Sequence, residues 1–247
     1  MNAPMLQLEN VVVDFDGFKA INDLSLTVEA GSMTVVIGPN GAGKSTMCDS
    51  IIGRVRPTSG RVLWHGKDIS REAEHAIVGE GICRKFQTPG VLVALSVIDN
   101  LAIAATKDRR WWKSFGRAGE AEARARAEEV LEQVGLTERR DALAGNLSHG
   151  EKQWLEIGMV VATDAELLLL DEPTAGMGAA ESTQTADLIK TLLGKHAVLV
   201  IDHDIDFVEQ LKAHVVVLHQ GRLLREGTLD AIRADEEVAA IYLGRAK

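Results

Sequence analysis

Gly38-Pro39-Asn40-Gly41-Ala42-Gly43-Lys44-Ser45-Thr46 follows the apolar stretch Met33–Ile37 and leads into residues of helical type as far as Gly53. Strand, glycine-rich loop, Lys-Ser and helix in that order are the context a phosphate-binding loop requires. Small residues let backbone N–H groups curl around a β-phosphate, and the helix N-terminus adds partial positive charge. Lys44 reaches the β- and γ-phosphates as a point charge, and Ser45 offers a hydroxyl to Mg²⁺. An accidental glycine turn before a helix is the competing reading, and the complete order of elements disfavours it. Residues 38–46 are therefore the expected ATP contacts.

A second stretch, Leu167-Leu168-Leu169-Leu170-Asp171-Glu172-Pro173, supplies what a phosphate loop alone lacks. A fully apolar strand delivers two adjacent carboxylates at its C-terminal end, where α/β sheets place their ligands. Asp171 is expected to hold Mg²⁺, a hard cation that prefers oxygen. Glu172 is expected to face the water that attacks the γ-phosphate.

The chain has 247 residues, enough for one large α/β domain or a core with a small subdomain, without a metal or disulfide staple. Its formal net charge of −9 argues against general nucleic-acid binding, which needs a basic surface. Cys48 and Cys83 lie outside any CxxC pattern, which points to a reducing compartment. The N-terminal residues do not resemble a signal peptide, and the apolar runs are strand-length, too short to cross a bilayer.

Strand-like segments at 5–13 and 19–28 flank a hairpin turn at Asp14-Phe15-Asp16-Gly17, and further strands are expected at 33–37, 61–64 and 81–86. Helical patterns cover 97–105, 120–134 and 148–162, the last with Ser148 as N-cap. Strand 166–170, helix 179–193, strand 197–201, a helix near 204–211 and a strand pair at 214–219 and 222–226 complete the chain. Strands alternating with helices imply a largely parallel sheet. Residues 5–247 read as one domain, with a core at 5–87 and 161–247 and a helical subdomain inserted at about 88–160.

Leu147-Ser148-His149-Gly150-Glu151-Lys152-Gln153, Phe86-Gln87-Thr88 and Val200-Ile201-Asp202-His203-Asp204 complete the set of motifs. With the two motifs above, they make the chain resemble the nucleotide-binding subunit of ATP-binding cassette (ABC) transporters over nearly its whole length. The resemblance implies an α/β, RecA-like P-loop NTPase core with an N-terminal antiparallel β subdomain and an inserted helical subdomain. It implies ATP hydrolysis coupled to transport, with ATP and Mg²⁺ as cofactors. By the same resemblance Phe15 stacks on adenine, Gln87 touches the Mg²⁺ or its water, and His203 hydrogen-bonds the γ-phosphate. Ser148, His149, Gly150 and Glu151 form a signature that meets ATP held by a partner subunit, so that two chains sandwich two nucleotides.

Two stretches depart from the family pattern. The signature usually reads Ser-Gly-Gly-Gln, and here His149 and Glu151 take its second and fourth places. Glu151 brings a carboxylate toward a phosphate site, which is unfavourable unless it points away. Gly178 stands where an aspartate is common six residues after Glu172. Coupling between subunits is the function these changes put in question.

Arg84-Lys85-Phe86-Gln87-Thr88-Pro89, Gln153-Trp154-Leu155-Glu156-Ile157-Gly158-Met159 and Ile241-Tyr242-Leu243-Gly244 are similar to one importer branch. That branch takes up branched-chain amino acids, short amides and urea, and the wording is most similar to its urea-uptake members. The resemblance implies membrane permease subunits, a sister ATPase or a second copy of this chain, a periplasmic substrate-binding protein, and a peripheral place on the cytoplasmic face of a bacterial inner membrane. The segment 107–117 carries five positive charges against one negative, with Trp111 and Trp112 among them. It reads as a hinge whose tryptophans pack on the helical subdomain, the alternative being a loop facing the membrane machinery.

Overall fold

The computed structural model describes residues 4–85, 90–106 and 117–243. The first half runs through β1 (Pro4–Phe15), β2 (Phe18–Glu29), β3 (Met33–Ile37), α1 (Lys44–Ile51), β4 (Ser59–Trp64), β5 (Lys67–Asp68), α2 (Glu74–Gly79) and β6 (Ile82–Lys85). Helices α3 (Val97–Ala104), α4 (Arg117–Gln133) and α5 (His149–Ala162) follow. The chain then continues through β7 (Leu167–Asp171), α6 (Ala179–Leu192), β8 (Ala197–Ile201), α7 (Ile205–Leu211), β9 (His214–His219), β10 (Arg222–Gly227), α8 (Leu229–Ala234) and α9 (Glu236–Leu243).

Two sheets organise these elements. An antiparallel sheet has the order β2-β1-β4-β5, and a six-stranded sheet has the order β10-β9-β3-β8-β7-β6. In the larger sheet β9, β3, β8, β7 and β6 pair in parallel, and β10 joins antiparallel at one edge. The β1–β2 hairpin closes over Asp16 and Gly17, whose φ values of 51° and 95° are both positive, as a two-residue loop between right-twisted strands prefers. Asp14 Oδ1 accepts the Gly17 N–H at 2.6 Å and locks the turn.

The apolar strands are buried on both faces, and alternation splits them between two cores. Val35, Leu168, Leu170, Val198, Val200 and Val215 pack with the helices α3 to α7. Leu167, Leu169, Leu199, Ile201, Val216 and Leu218 pack toward α1 and the antiparallel sheet. This places the C-terminal ends of β3, β8, β7 and β6 side by side, so four loops converge on one edge of the sheet.

The strands and long helices expected from the sequence are present, with shifted ends. Helix α4 begins at Arg117 rather than Glu120, and β4 reaches back to Ser59. The short elements β5, α2, α8 and α9 add to those expected, because runs of two to eight residues are too brief for a periodic pattern to declare itself.

Candidate functional site

The loop after β3 is built around two glycines, Gly38 and Gly43, that leave no room for a side chain. A Cβ on Gly38 would lie 2.4 Å from the Leu218 carbonyl oxygen. Gly43 has φ 101°, and a Cβ there would lie 2.5 Å from the Ala20 carbonyl oxygen. The loop is thus wedged between β9 and β2. Its helix, α1, has no acidic residue in its first turn, so the N-terminal N–H groups face no competing carboxylate from their own helix. Lys44 folds back on the loop, donating from Nζ to Gly38 O at 2.7 Å and Pro39 O at 3.1 Å. Burial lowers the Lys44 pKa, and the nearby Glu172 and Asp171 partly offset that effect. Asn40, Gly41 and Ser45 are exposed around it, Pro39 and Thr46 are half-buried, and Ala42 is buried.

Asp171 ends β7 opposite Ile201 of β8 and is buried. Glu172 follows with φ 46°, a conformation sparsely populated by side chains of its kind, held by its N–H to Ile201 O at 2.8 Å. Its carboxylate lies 3.6 Å from His203 Nδ1, with both side chains accessible, at 40% and 68%. Asp202, which sequence reasoning passed over, organises this pair. It is buried, and its Oδ1 accepts the N–H groups of His203 at 2.7 Å and Asp204 at 3.0 Å. Its Oδ2 accepts the Thr174 hydroxyl at 2.8 Å. Only its position at the end of an apolar strand could have signalled it.

Asp171 is not free on both oxygens. Its Oδ2 accepts from Arg84 Nη2 at 2.6 Å, and Arg84 Nη1 donates to Asp49 Oδ1 at 2.6 Å. Among the described residues no group of three or more His, Cys, Asp or Glu could cage a metal. The donors present, one remaining Asp171 oxygen and the Ser45 hydroxyl, suit a hard cation that takes its other oxygens from phosphates and water. Gln87 lies outside the described residues, as do Trp111 and Trp112.

The segment 147–151 forms a helix start with reciprocal capping. Ser148 Oγ accepts the Glu151 N–H at 3.2 Å, and Glu151 Oε2 accepts the Ser148 N–H at 2.8 Å. Glu151 Oε1 accepts from Arg139 Nε at 2.8 Å, so the carboxylate is turned onto its own helix end and a guanidinium. Arg139 and the Ser148 N–H hold the Glu151 pKa below its usual value. His149 Nε2 sits 2.7 Å from Ala175 O, in the loop that follows Glu172. A Cβ on Gly150 would lie 2.4 Å from Glu181 Oε1, and Glu181 Oε2 in turn accepts the Gly178 N–H at 3.1 Å. The start of α5 therefore rests on the segment after Glu172 and on the start of α6: His149 on Ala175, and Gly150 on Glu181, which also holds Gly178.

Phe15 is half exposed at the hairpin, directly across from Phe18, which is 66% exposed. Phe15 shares the face of β1 that buries Val11 and Val13. The hairpin also supplies the Ala20 and Ile21 atoms that abut Gly43, so the exposed rings lie at the end of β1–β2 nearest the phosphate loop.

A family model described as ABC transporter matches residues 21–175. The chain is 34% identical to the high-affinity branched-chain amino acid transport ATP-binding protein BraF of Pseudomonas aeruginosa, over the full length of both. It is 32% identical to the corresponding protein LivG of Escherichia coli K12, again over all of both chains. Among solved structures, the ADP conformation of MJ1267, an ATP-binding cassette of an ABC transporter, superposes with a TM-score of 0.85 at 30% identity, covering 99% of this chain and 100% of that one.

Proposed function

The chain belongs to the ABC transporter family, and from that premise we propose that it is the ATP-binding, ATP-hydrolysing subunit of an importer for small polar metabolites. The observation that carries this reading is the meeting of Lys44, Asp171, Glu172 and His203 at the convergent ends of β3, β7 and β8.

The chemistry is ATP plus water to ADP plus phosphate. Lys44 exchanges its hold on Gly38 O and Pro39 O for phosphate oxygens, so the loop is preformed around a cation that waits for its anion. Glu172 orients the attacking water and accepts its proton, with enough exposure to reach it. His203, held by Asp202, presents its ring to the γ-phosphate. Ser45, Asp171 and Gln87 are the residues that would hold Mg²⁺, which neutralises phosphate charge when bound. Phe15 offers its face to adenine. Ser148, His149, Gly150 and Glu151 face the nucleotide of a second ATPase subunit, either a sister chain or a second copy.

The importer is completed by membrane permease subunits, with a periplasmic binding protein delivering cargo. Among the described residues no helix is long and apolar enough to cross a membrane. A peripheral place on the cytoplasmic face is consistent with that. For cargo, the full-length similarity to BraF and LivG supports branched-chain amino acids above urea. The urea reading rests on the wording of short motifs, part of which falls on undescribed residues. Uptake of labelled leucine and of labelled urea in a strain lacking this gene discriminates: loss of leucine uptake alone supports the first, and loss of urea uptake alone reverses it.

Glu172→Gln tests the enzymatic reading. Turnover should fall at least about a hundredfold while ATP binding persists and the nucleotide-bound dimer accumulates. Turnover near wild type would remove Glu172 from its role.

A further inference from the structure

Adjacent residues of a strand point to opposite faces, and β6 uses this to bury two cations in succession. Lys85 meets Glu156 at 3.3 Å and Gln153, both on α5. Arg84 turns the other way, into the site. It is 7% exposed and bridges Asp49 of α1 to Asp171 of β7. Its Nε has no partner among the described residues, so both outer nitrogens, and nothing else described, anchor the group.

An ion triad with Arg84 and Asp171 buried and Asp49 partly exposed is weak as a source of stability, since apolar residues of the same volume commonly do as well. Its location offers a better reason for it. Asp171 ends β7 on the same edge of the sheet as the end of β3, from which the phosphate loop leaves. Asp49 lies four residues after Ser45, on the same face of α1. Cys48, between them in sequence, adds no charge, because burial pushes its thiol up to about 12. The triad therefore holds one positive and two negative charges behind the place where a polyanion must bind.

We propose that Arg84 is the charge-balancing residue of the nucleotide site, holding Asp171 and Asp49 so that the site tolerates a nucleotide before its divalent cation is in place. This rests on the nucleotide reading above. Without Arg84 the buried Asp171 and the partly exposed Asp49 face the incoming phosphates uncompensated, which repels cation-free nucleotide and increases the attraction for cation. Loss of Asp49's charge shifts the balance the opposite way.

The test is equilibrium binding of a fluorescent ATP analogue to the full chain, in EDTA and in excess Mg²⁺. For Arg84→Met, affinity in EDTA should fall at least about tenfold more than affinity in Mg²⁺. Arg84→Lys should keep most of the wild-type ratio. Asp49→Asn should strengthen binding in EDTA by roughly threefold or more, and this arm does not depend on Arg84→Met folding. Arg84→Met with Asp49→Asn restores the net charge and should return the EDTA-to-Mg²⁺ ratio toward wild type. Equal losses in both buffers for Arg84→Met, or weaker EDTA binding for Asp49→Asn, overturn the proposal. Failure of the wild-type chain to bind the analogue in either buffer instead sinks the nucleotide reading itself.

Discussion

Thr174 donates its hydroxyl to Asp202 at 2.8 Å, and that buried bond ties the loop carrying Glu172 to the loop carrying His203. The distance from Glu172 to His203 is 3.6 Å, across two exposed side chains that could otherwise swing apart. The rigid contact lies beneath them, where solvent does not compete for it.

Thr174→Val keeps the shape and removes the donor. Stability should fall by about 2 kcal/mol, the usual worth of a hydrogen bond to a charged group, measured by urea unfolding. Turnover should drop while KM for ATP stays within about twofold, because the phosphate loop is untouched. A change confined to KM would mean that this bond does not position the catalytic pair.

The loop glycines separate two causes of intolerance. Gly41 has φ 79° with nothing within 4 Å of an added Cβ, so Gly41→Ala should cost only the left-handed penalty, roughly 1–2 kcal/mol. Gly43→Ala adds a collision with Ala20 and Ile21, so it should cost about 3 kcal/mol or more and abolish ATP binding. Thermal unfolding and nucleotide titration of the two variants check the order, and equal costs would show that space around Gly43 is not limiting.

Glu151 is tolerated at the signature because Arg139 and the helix cap absorb its charge. Arg139→Ala should therefore lower the ATPase rate of the assembled system, and Glu151→Gln should rescue it, since glutamine also serves a capping box. Ser148→Ala should cost about 1 kcal/mol through loss of the cap. An Arg139→Ala defect that persists beside Glu151→Gln would place Arg139 in another role. The depressed Glu151 pKa has a definite sign: its stabilising contribution is present above the ordinary value of 4.5 and is lost as pH falls through the lower folded value.

Cys48 gives a pH effect on the alkaline side. Its usual pKa near 9 rises to about 12 in the folded chain because burial penalises the thiolate. Between those values the unfolded chain has released a proton that the folded chain retains, so stability falls as pH rises. Cys48→Ala should be less stable at pH 7 through its cavity, yet lose less stability than wild type between pH 8 and 10.5. Parallel slopes in the two unfolding series would remove Cys48 as the cause.

Local chemistry determined much of this protein in advance. Alternating burial, strand-length apolar runs and the Asp16-Gly17 turn follow from residue type and spacing, because each is decided within a few residues. The same holds for the phosphate loop, for Ser148 as a cap and for carboxylates at the end of a leucine strand. Tertiary structure alone decided the strand order, which brings β3, β8, β7 and β6 together from distant parts of the chain. It also decided the buried charges. Arg84 and Asp171 are 87 positions apart, Thr174 and Asp202 are 28, and neither pair has a local pattern to mark it. Such pairs form only because a parallel sheet lays remote strand ends side by side and excludes the water that would otherwise satisfy them.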